Sequence, residues 1–479
     1  LTELSQLARR ILLEANARGA SDIFVESGEN IGRICFRQDG LVNLHIQNIP
    51  PPVIRQLVNI FANMAGVSSH ELHLKIVDGN LTLRGVPTSR GPINADYRCC
   101  FTPTRRGVDL TLRNNFEEVR PIKDIGFEDD TLSAVLMALG RPQGLILLCG
   151  PTGQGKSITR EAMLRILEDR QCLKIFEWGN PIEFPSERRT QVEIDRSSQL
   201  TWEEVSKAAL RCSPNVITPS EFRDDTEAQW VVKASATGHL VITTFHATNI
   251  AAAFTRLMHL QVRPYDLAEH LTAVVSQRLV RLLCPYCKVP DAGAQALGYP
   301  NAYTSPQELV HTRARVALPW QKVDPRSSLA DVQVIGKAEG PVNCPHCADE
   351  GYRGRTAVLE VLYVTPMVQE LIFQLDHPAG WSSRQASPVT GAVVFERARR
   401  EAKSNGLNLI TLEEAAANKV HRGLTSVSEV KRVLAVSPVA FFGGEVSRTR
   451  SQSRADLRTV ESLDSEEGEL NVKSSAGSH

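Results

Sequence analysis

Residues Gly144-Leu-Ile-Leu-Leu-Cys149 run directly into Gly150-Pro-Thr-Gly-Gln-Gly-Lys-Ser157, and this junction constrains the fold more than any other stretch of the chain. An unbroken apolar run after a glycine reads as a short strand buried on both faces. The spacing G-x-x-x-x-G-K-S follows, and Ile158 to Leu167 continues with helical periodicity. Strand, glycine-rich turn and helix in that order make an anion cradle. Gly153 and Gly155 permit tight backbone approach, the N–H groups of 152–157 converge, and the helix start adds a favourable dipole. The loop formed by Gly150, Pro151, Thr152, Gly153, Gln154, Gly155, Lys156 and Ser157 is therefore expected to hold the phosphates of a nucleoside triphosphate. Lys156 is expected to reach the β- and γ-phosphates, and Ser157 to offer its hydroxyl to Mg²⁺.

From 144 to about 283 the pattern alternates between strand and helix, which predicts a parallel sheet covered by helices. Strands are predicted at 144–149, 172–176, 191–194, 215–218 and 239–244, with helices at 156–168, 201–211, 224–236 and 264–283. Ligands of such sheets bind outside the carboxyl ends of the strands. Glu221 and His246 fall just after two of those ends and are the chemical candidates. Upstream, residues 1–115 read as a small α+β domain. A helix carries Leu4, Leu7, Ile11 and Leu12, and a second spans about Ile54 to Met64. Strands are expected at Asp22–Val25, Gly32–Phe36, Leu41–Ile46, Leu72–Val77, Leu81–Val86 and Val108–Leu112.

The divisions that follow are a linker at 116–130, a core domain at 131–283, a tetracysteine region at 284–360 and a helical region at 361–436. The segment 288–343 has weak periodicity and several prolines and reads as an irregular insertion. Thr411-Leu-Glu-Glu414 and Ser426-Val-Ser-Glu429 have capping-box spacing ahead of apolar positions. The polar tail at 437–479 is expected to be disordered. Lysine plus arginine, at 54, equals aspartate plus glutamate, at 54, so no global charge draws the chain to nucleic acid or acidic lipid. No apolar run approaches the roughly 18 residues of a membrane span, and the first residues lack a signal peptide's apolar core. A cytosolic chain is expected.

Cys284-Pro-Tyr-Cys287 and Cys344-Pro-His-Cys347 have the spacing of two thiolate pairs. Four thiolates around Zn²⁺ leave no open position, so such a site is structural. The 56 residues between the pairs exceed the usual gap. A disulfide is not expected in a cytosolic chain.

Taken together, the motifs resemble those of the secretion ATPase family of type II secretion, type IV pilus and conjugation machines, from about residue 5 to 435 with 288–343 unmatched. The likeness is carried by Ala20-Ser-Asp-Ile-Phe24, Arg37-Gln-Asp-Gly40, the phosphate loop, Ser220-Glu-Phe-Arg-Asp224, the run 237–249, both cysteine pairs and Gly351-Tyr-Arg-Gly-Arg355. It implies an α/β fold: a RecA-like P-loop ATPase core, a small α+β (PAS-like) N-terminal domain and a C-terminal zinc-binding and helical subdomain. Glu221 takes the position of the Walker B acid, which holds the Mg²⁺ shell or orients the attacking water. His246 stands in the histidine box, where an imidazole can sense loss of the γ-phosphate. His239 belongs to the same motif, but at the opening of its strand it can equally serve to end the preceding helix. Arg98 and Arg113 match arginines that contact nucleotide phosphate, a role suited to a planar, permanently charged fork.

The family's acidic box reads Ile-Glu-Asp-Pro-Val-Glu, whereas this chain has Phe176-Glu-Trp-Gly-Asn-Pro-Ile-Glu-Phe184. Gly179 and Asn180 replace the glutamate and aspartate, Glu183 aligns with the last acid, and Glu177 is a candidate for the displaced role. Ser213-Pro-Asn215 likewise replaces an aspartate-rich triplet. The resemblance implies a homohexameric motor in the cytoplasm, peripheral at the inner membrane and docked on a platform protein, using ATP, Mg²⁺ and structural Zn²⁺. A nucleotide-binding scaffold with little hydrolysis is the alternative that the altered acidic box raises. A nucleic-acid motor is not expected, since no basic groove with interleaved aromatics is present.

Overall fold

The computed structural model describes residues 3–88, 91–114, 119–169, 173–194, 200–296, 300–306, 308, 344–347, 350–375 and 389–434. Two compact units are present. One holds the described residues of Leu1–Glu118, Cys284–Lys288 and Ser305–Gly354, and the other those of Val119–Leu283, Val289–Thr304 and Arg355–His479.

The first unit opens with α1 (Glu3–Ala17), followed by β1 (Ala20–Glu26), β2 (Gly32–Gln38), β3 (Leu41–Ile49), α2 (Pro51–Met64), β4 (Val77–Thr88), β5 (Gly91–Thr104) and β6 (Gly107–Asn114). Its six strands pair antiparallel in the order β3-β2-β1-β6-β5-β4. Ile11 and Leu12 of α1, with Leu57 and Phe61 of α2, join Ile23, Phe36, Phe101 and Leu112 in one buried cluster. Paired prolines start α2, where a missing N–H costs nothing. The strand expected at Leu72–Val77 is instead a turn. Leu74 and Lys75 donate to the Glu71 carbonyl at 3.0 and 3.2 Å, so the backbone closes on itself locally. Leu72 is buried while Leu74 and Ile76 are exposed, so the alternating letters there do not line a sheet face.

The second unit contains α3 (Asp129–Leu139), β7 (Gly144–Cys149), α4 (Lys156–Asp169), β8 (Ile175–Gly179), β9 (Thr190–Glu193), α5 (Trp202–Arg211), β10 (Val216–Pro219), α6 (Asp225–Ala236), β11 (Leu240–Phe245), α7 (Ile250–His259), α8 (Pro264–His270) and β12 (Leu271–Leu283). After these come β13 (Val289–Pro290), α9 (Ala292–Ala296) and β14 (Tyr303–Thr304), then β15 (Tyr352–Tyr363), which belongs to this unit from Arg355 on, and α10 (Pro366–Phe373), α11 (Gly391–Ser404), α12 (Leu412–His421) and α13 (Val427–Leu434). The seven-stranded sheet has the order β15-β12-β7-β11-β10-β8-β9, and β12, β7, β11, β10, β8 and β9 run parallel. Every residue of β7 is buried. Leu145 and Leu147 face the cluster shared with α6, α7 and α8, whereas Ile146 and Leu148 face the one shared with α3 and α4.

One predicted helix is corrected. Residues 264–283 form α8 only as far as His270, and Leu271–Leu283 is a strand beside β7. The first eight residues of β12 are buried on both sides. Hydrophobic periodicity cannot separate a strand of that kind from a buried helix, although the β-branched Thr272, Val274, Val275 and Val280 favoured the strand. Within the expected irregular insertion, β13 and β14 form a two-stranded ladder. Residues 297–299, 307 and 309–343 of that segment, and the tail, lie outside the described residues. Thr411 and Glu414 form the full capping box at α12. At α13 the Ser426 hydroxyl accepts from Glu429 N–H at 3.0 Å, but the Glu429 carboxylate turns to Arg281. Among the described residues no helix is long and apolar enough to cross a membrane.

Candidate nucleotide-binding site

The phosphate loop leaves β7 at Cys149 and enters α4 at Lys156. Pro151, Thr152 and Gly153 are exposed at its rim, while Gln154, Gly155 and Ser157 are half-buried and Lys156 is buried. Gly150 and Gly155 sit where β12 passes closest. A Cβ on Gly150 would lie 2.6 Å from the Gln277 carbonyl oxygen, and one on Gly155 3.0 Å from Gln277 Nε2. Lys156 Nζ donates to the carbonyls of Gly150 and Pro151 at 2.8 and 3.0 Å, closing the loop around its own ammonium. Burial lowers the Lys156 pKa, and the charges of Glu221 and Glu183 oppose that shift. A buried cation with these neighbours is a favourable partner for anionic oxygens.

Glu221 follows β10 and makes a parallel bridge to Thr244 of β11. The bridge carries its carboxylate to the end of β11, where Oε2 lies 3.4 Å from His246 Nε2. Glu221 Oε1 accepts from Arg223 Nε at 2.6 Å. Asp224, not Glu221, caps α6, accepting from Glu227 N–H at 2.9 Å. Glu221 is therefore spared the capping role, and its half-buried carboxylate meets Arg223 and His246 at the strand ends. His239 serves a local purpose: its Nδ1 lies 2.9 Å from Thr237 Oγ1 and 3.3 Å from the Ala234 carbonyl, at the last turn of α6.

Glu177, the candidate for the displaced acid of the box, has no exposed surface. Its carboxylate accepts from Arg160 Nη2 at 3.0 Å, Arg189 Nη1 at 2.9 Å and Gln191 Nε2 at 2.7 Å. Arg189 also reaches both oxygens of Glu161, at 2.6 and 2.8 Å, and Glu168 at 2.5 Å. Burial works against the Arg189 charge, yet its carboxylate partners hold the guanidinium above the usual arginine range. Every oxygen of Glu177 is committed, so it cannot take up the box's chemistry. Glu183 is exposed on the loop that follows β8, and a side chain at Gly179 would meet Ser220 Oγ at 2.8 Å.

Arg98 and Arg113 belong to the first unit, where they face each other across β5 and β6. Arg113 Nε donates to Asp22 Oδ1 at 2.9 Å, and Arg98 is exposed. Gln277, Arg278 and Glu360 border the site and were missed, because the segment holding the first two read as a helix. The Ser157 hydroxyl and Glu221 carboxylate are hard oxygen donors of the kind that Mg²⁺ takes.

In the first unit the sulfurs of Cys284, Cys287, Cys344 and Cys347 all lie within 4.8 Å of one another. Cys284 and Cys344 are 3.9 Å apart, and Cys287 and Cys347 3.6 Å. Zn–S bonds of about 2.3 Å in a tetrahedron require sulfur separations of roughly 3.8 Å, so the four cysteines fit a zinc ion. They are too far apart for disulfides, whose S–S bond is about 2.05 Å. Gly351 N–H donates to Cys347 Sγ at 3.3 Å, a contact that supports a thiolate ligand.

Residues 2–432 match the model of the family described as Type II/IV secretion system protein. The type IV pilus assembly ATPase PilB of Pseudomonas aeruginosa is 30% identical over 433 residues, covering 89% of this chain and 67% of that one. The type II secretion system protein E of Klebsiella pneumoniae is 31% identical over 432 residues, covering 89% of this chain and 75% of that one. The chain spans less of some relatives, at 65% of the Acinetobacter baylyi PilB and 42% of the Thermus thermophilus PilB. In fold it is similar to the Legionella pneumophila ATPase DotB, with a TM-score of 0.59 at 18% identity over 88% of this chain and 94% of that one. The pilus retraction motor PilT with bound ADP gives a TM-score of 0.54 at 20% identity, over 90% of this chain and 97% of that one.

Proposed function

We propose that this chain, which belongs to the type II/IV secretion system protein family, is the motor that drives assembly of a type IV pilus, a type II secretion apparatus or a conjugative apparatus. It is an ATPase, like the relatives named for pilus assembly and secretion. The observation that supports the site assignment best is the placing of Lys156, Glu221 and His246 beyond the carboxyl ends of three adjacent parallel strands, β7, β10 and β11. In this reading Gly150–Ser157 wraps the phosphates through backbone N–H groups, and Lys156 leaves its two carbonyls for the β- and γ-phosphates. Glu221 orients the attacking water, and His246, in contact with Glu221, registers departure of the γ-phosphate. Ser157 and Glu221 would hold Mg²⁺, which supplies charge neutralisation for the phosphoryl oxygens. Arg98 and Arg113 are assigned to nucleotide phosphate by family likeness, and Glu183 to the acidic box. Cys284, Cys287, Cys344 and Cys347 would hold a structural zinc. The working form is proposed to be a homohexamer at the cytoplasmic side of the inner membrane, docked on a platform protein.

Steady-state phosphate release, with Lys156→Ala and Glu221→Gln as controls, tests the proposal. Wild-type turnover well above both variants supports it. A second reading, a nucleotide-dependent scaffold that scarcely hydrolyses, is favoured by Gly179 and Asn180 in the acidic box and by the sequestration of Glu177. Turnover equal to that of the two variants would select it.

A further inference from the structure

β12 carries two adjacent side chains that grip opposite sides of the site. Neighbours along a strand point to opposite faces. Gln277 goes to the α4 side: its Oε1 accepts from Thr159 Oγ1 at 2.7 Å, and its Nε2 donates to the Gln154 carbonyl at 2.7 Å. The Gln154 side chain completes the clasp by accepting from Leu279 N–H at 2.7 Å. Arg278 goes to the α7 side. Its Nη2 donates to the Thr248 carbonyl, in the turn that follows His246, and its Nη1 donates to the Gln277 carbonyl at 3.0 Å. Both residues are buried. The same turn is fixed from its other end by Glu360 Oε1, which accepts from Ile250 N–H at 2.9 Å.

We propose that Gln277 and Arg278 are positioning residues that make the phosphate loop and the histidine turn move as one piece. The inference rests on the reading that this site hydrolyses ATP. Gln277 sets the shape of the loop through Gln154 and the first turn of α4, with no side chain at Gly150 or Gly155 to stand between. Arg278 takes the position of the same strand backbone and imposes it on Thr248, two residues from His246. A displacement of the loop is thereby delivered to the imidazole that meets Glu221. The two residues therefore divide the work: Gln277 governs how well nucleotide is held, and Arg278 how fast it is turned over.

The test measures ADP affinity by calorimetry and steady-state ATP hydrolysis on the full chain, with thermal melts to establish folding. Gln277→Glu keeps the shape and the acceptor for Thr159 but sets a carboxylate against the Gln154 carbonyl, and should raise the ADP Kd tenfold or more. Arg278→Met should leave the Kd within threefold and lower kcat at least tenfold, with Arg278→Lys between it and the wild type. Should Arg278→Met fail to fold, Arg278→Lys decides alone: a kcat at least threefold down at unchanged Kd supports the proposal, and wild-type values overturn it. A folded Arg278→Met with wild-type kcat overturns it, as does a parallel loss of Kd and kcat in both variants. Wild-type turnover no higher than that of Lys156→Ala would instead overturn the ATPase reading itself.

Discussion

Glu221 Oε2 lies 3.4 Å from His246 Nε2, a contact between residues that follow two adjacent parallel strands. Glu221→Gln preserves the shape and removes the charge that a base or metal ligand requires. Turnover should fall on the order of 10²-fold or more, the scale of a lost general base, while ADP affinity changes by only a few-fold. Lys156→Ala should show the converse, weakened binding above all. A Glu221→Gln enzyme that retained half its activity would remove Glu221 from the chemistry.

Arg189 is the hub of a buried cluster in which two guanidinium groups meet three carboxylates, those of Glu161, Glu168 and Glu177. Arg189→Met leaves buried carboxylates short of partners, which costs about 3–5 kcal/mol. Urea unfolding should show this as a lower midpoint. A loss below about 1 kcal/mol, the size of an ordinary substitution, would show that the cluster is not needed for stability.

Glu360 is buried with its carboxylate on the N–H groups of Ile250 and Leu412, at 2.9 and 3.3 Å. Burial raises its pKa from 4.5 to about 7, against the pull of those donors. Below pH 4.5 the folded and unfolded chains both carry the proton, and between 4.5 and about 7 only the folded chain retains it. Folding therefore takes up a proton in that window, and the stability from this group is lost as pH rises through it, to a ceiling of roughly 3 kcal/mol. Unfolding free energies measured across the window should slope downward, and Glu360→Gln should flatten the slope. An unchanged slope in the variant would assign the effect to other groups.

Purified protein should contain about one equivalent of zinc per chain, because four thiolates at these separations make one closed tetrahedral site. Cys344→Ser should lose the metal and lower the thermal midpoint. Metal content below half an equivalent in protein purified without chelator, with wild-type stability in Cys344→Ser, would leave the tetracysteine cluster without a metal role.

Much of the site was legible because its signals are local. The phosphate loop needs only a strand end, glycines at fixed offsets and a helix start, all within 144–167. Glu221 and His246 were marked by the strands that precede them. Hidden from view was which carboxylate remains free. Glu177 and Glu183 are equivalent as letters, yet one is locked between Arg160 and Arg189 and the other is exposed. Those arginines come from α4 and from the segment before β9, and nothing at Glu177 announces them. The capping box at α13 shows the same limit, since the spacing marks Ser426 correctly while Glu429 answers to Arg281, 148 residues away.

By itself the sequence determined the elements whose energetics are short-ranged: the glycine-rich turn, the helix starts at Thr411 and Ser426, the paired thiols and the alternation that makes a parallel sheet. The tertiary structure alone decided that Leu271–Leu283 is a strand beside β7, and hence that Gln277 meets Thr159 across 118 residues of chain. An apolar run buried on both faces has no period of its own to declare, so its conformation is settled by the neighbour it hydrogen-bonds.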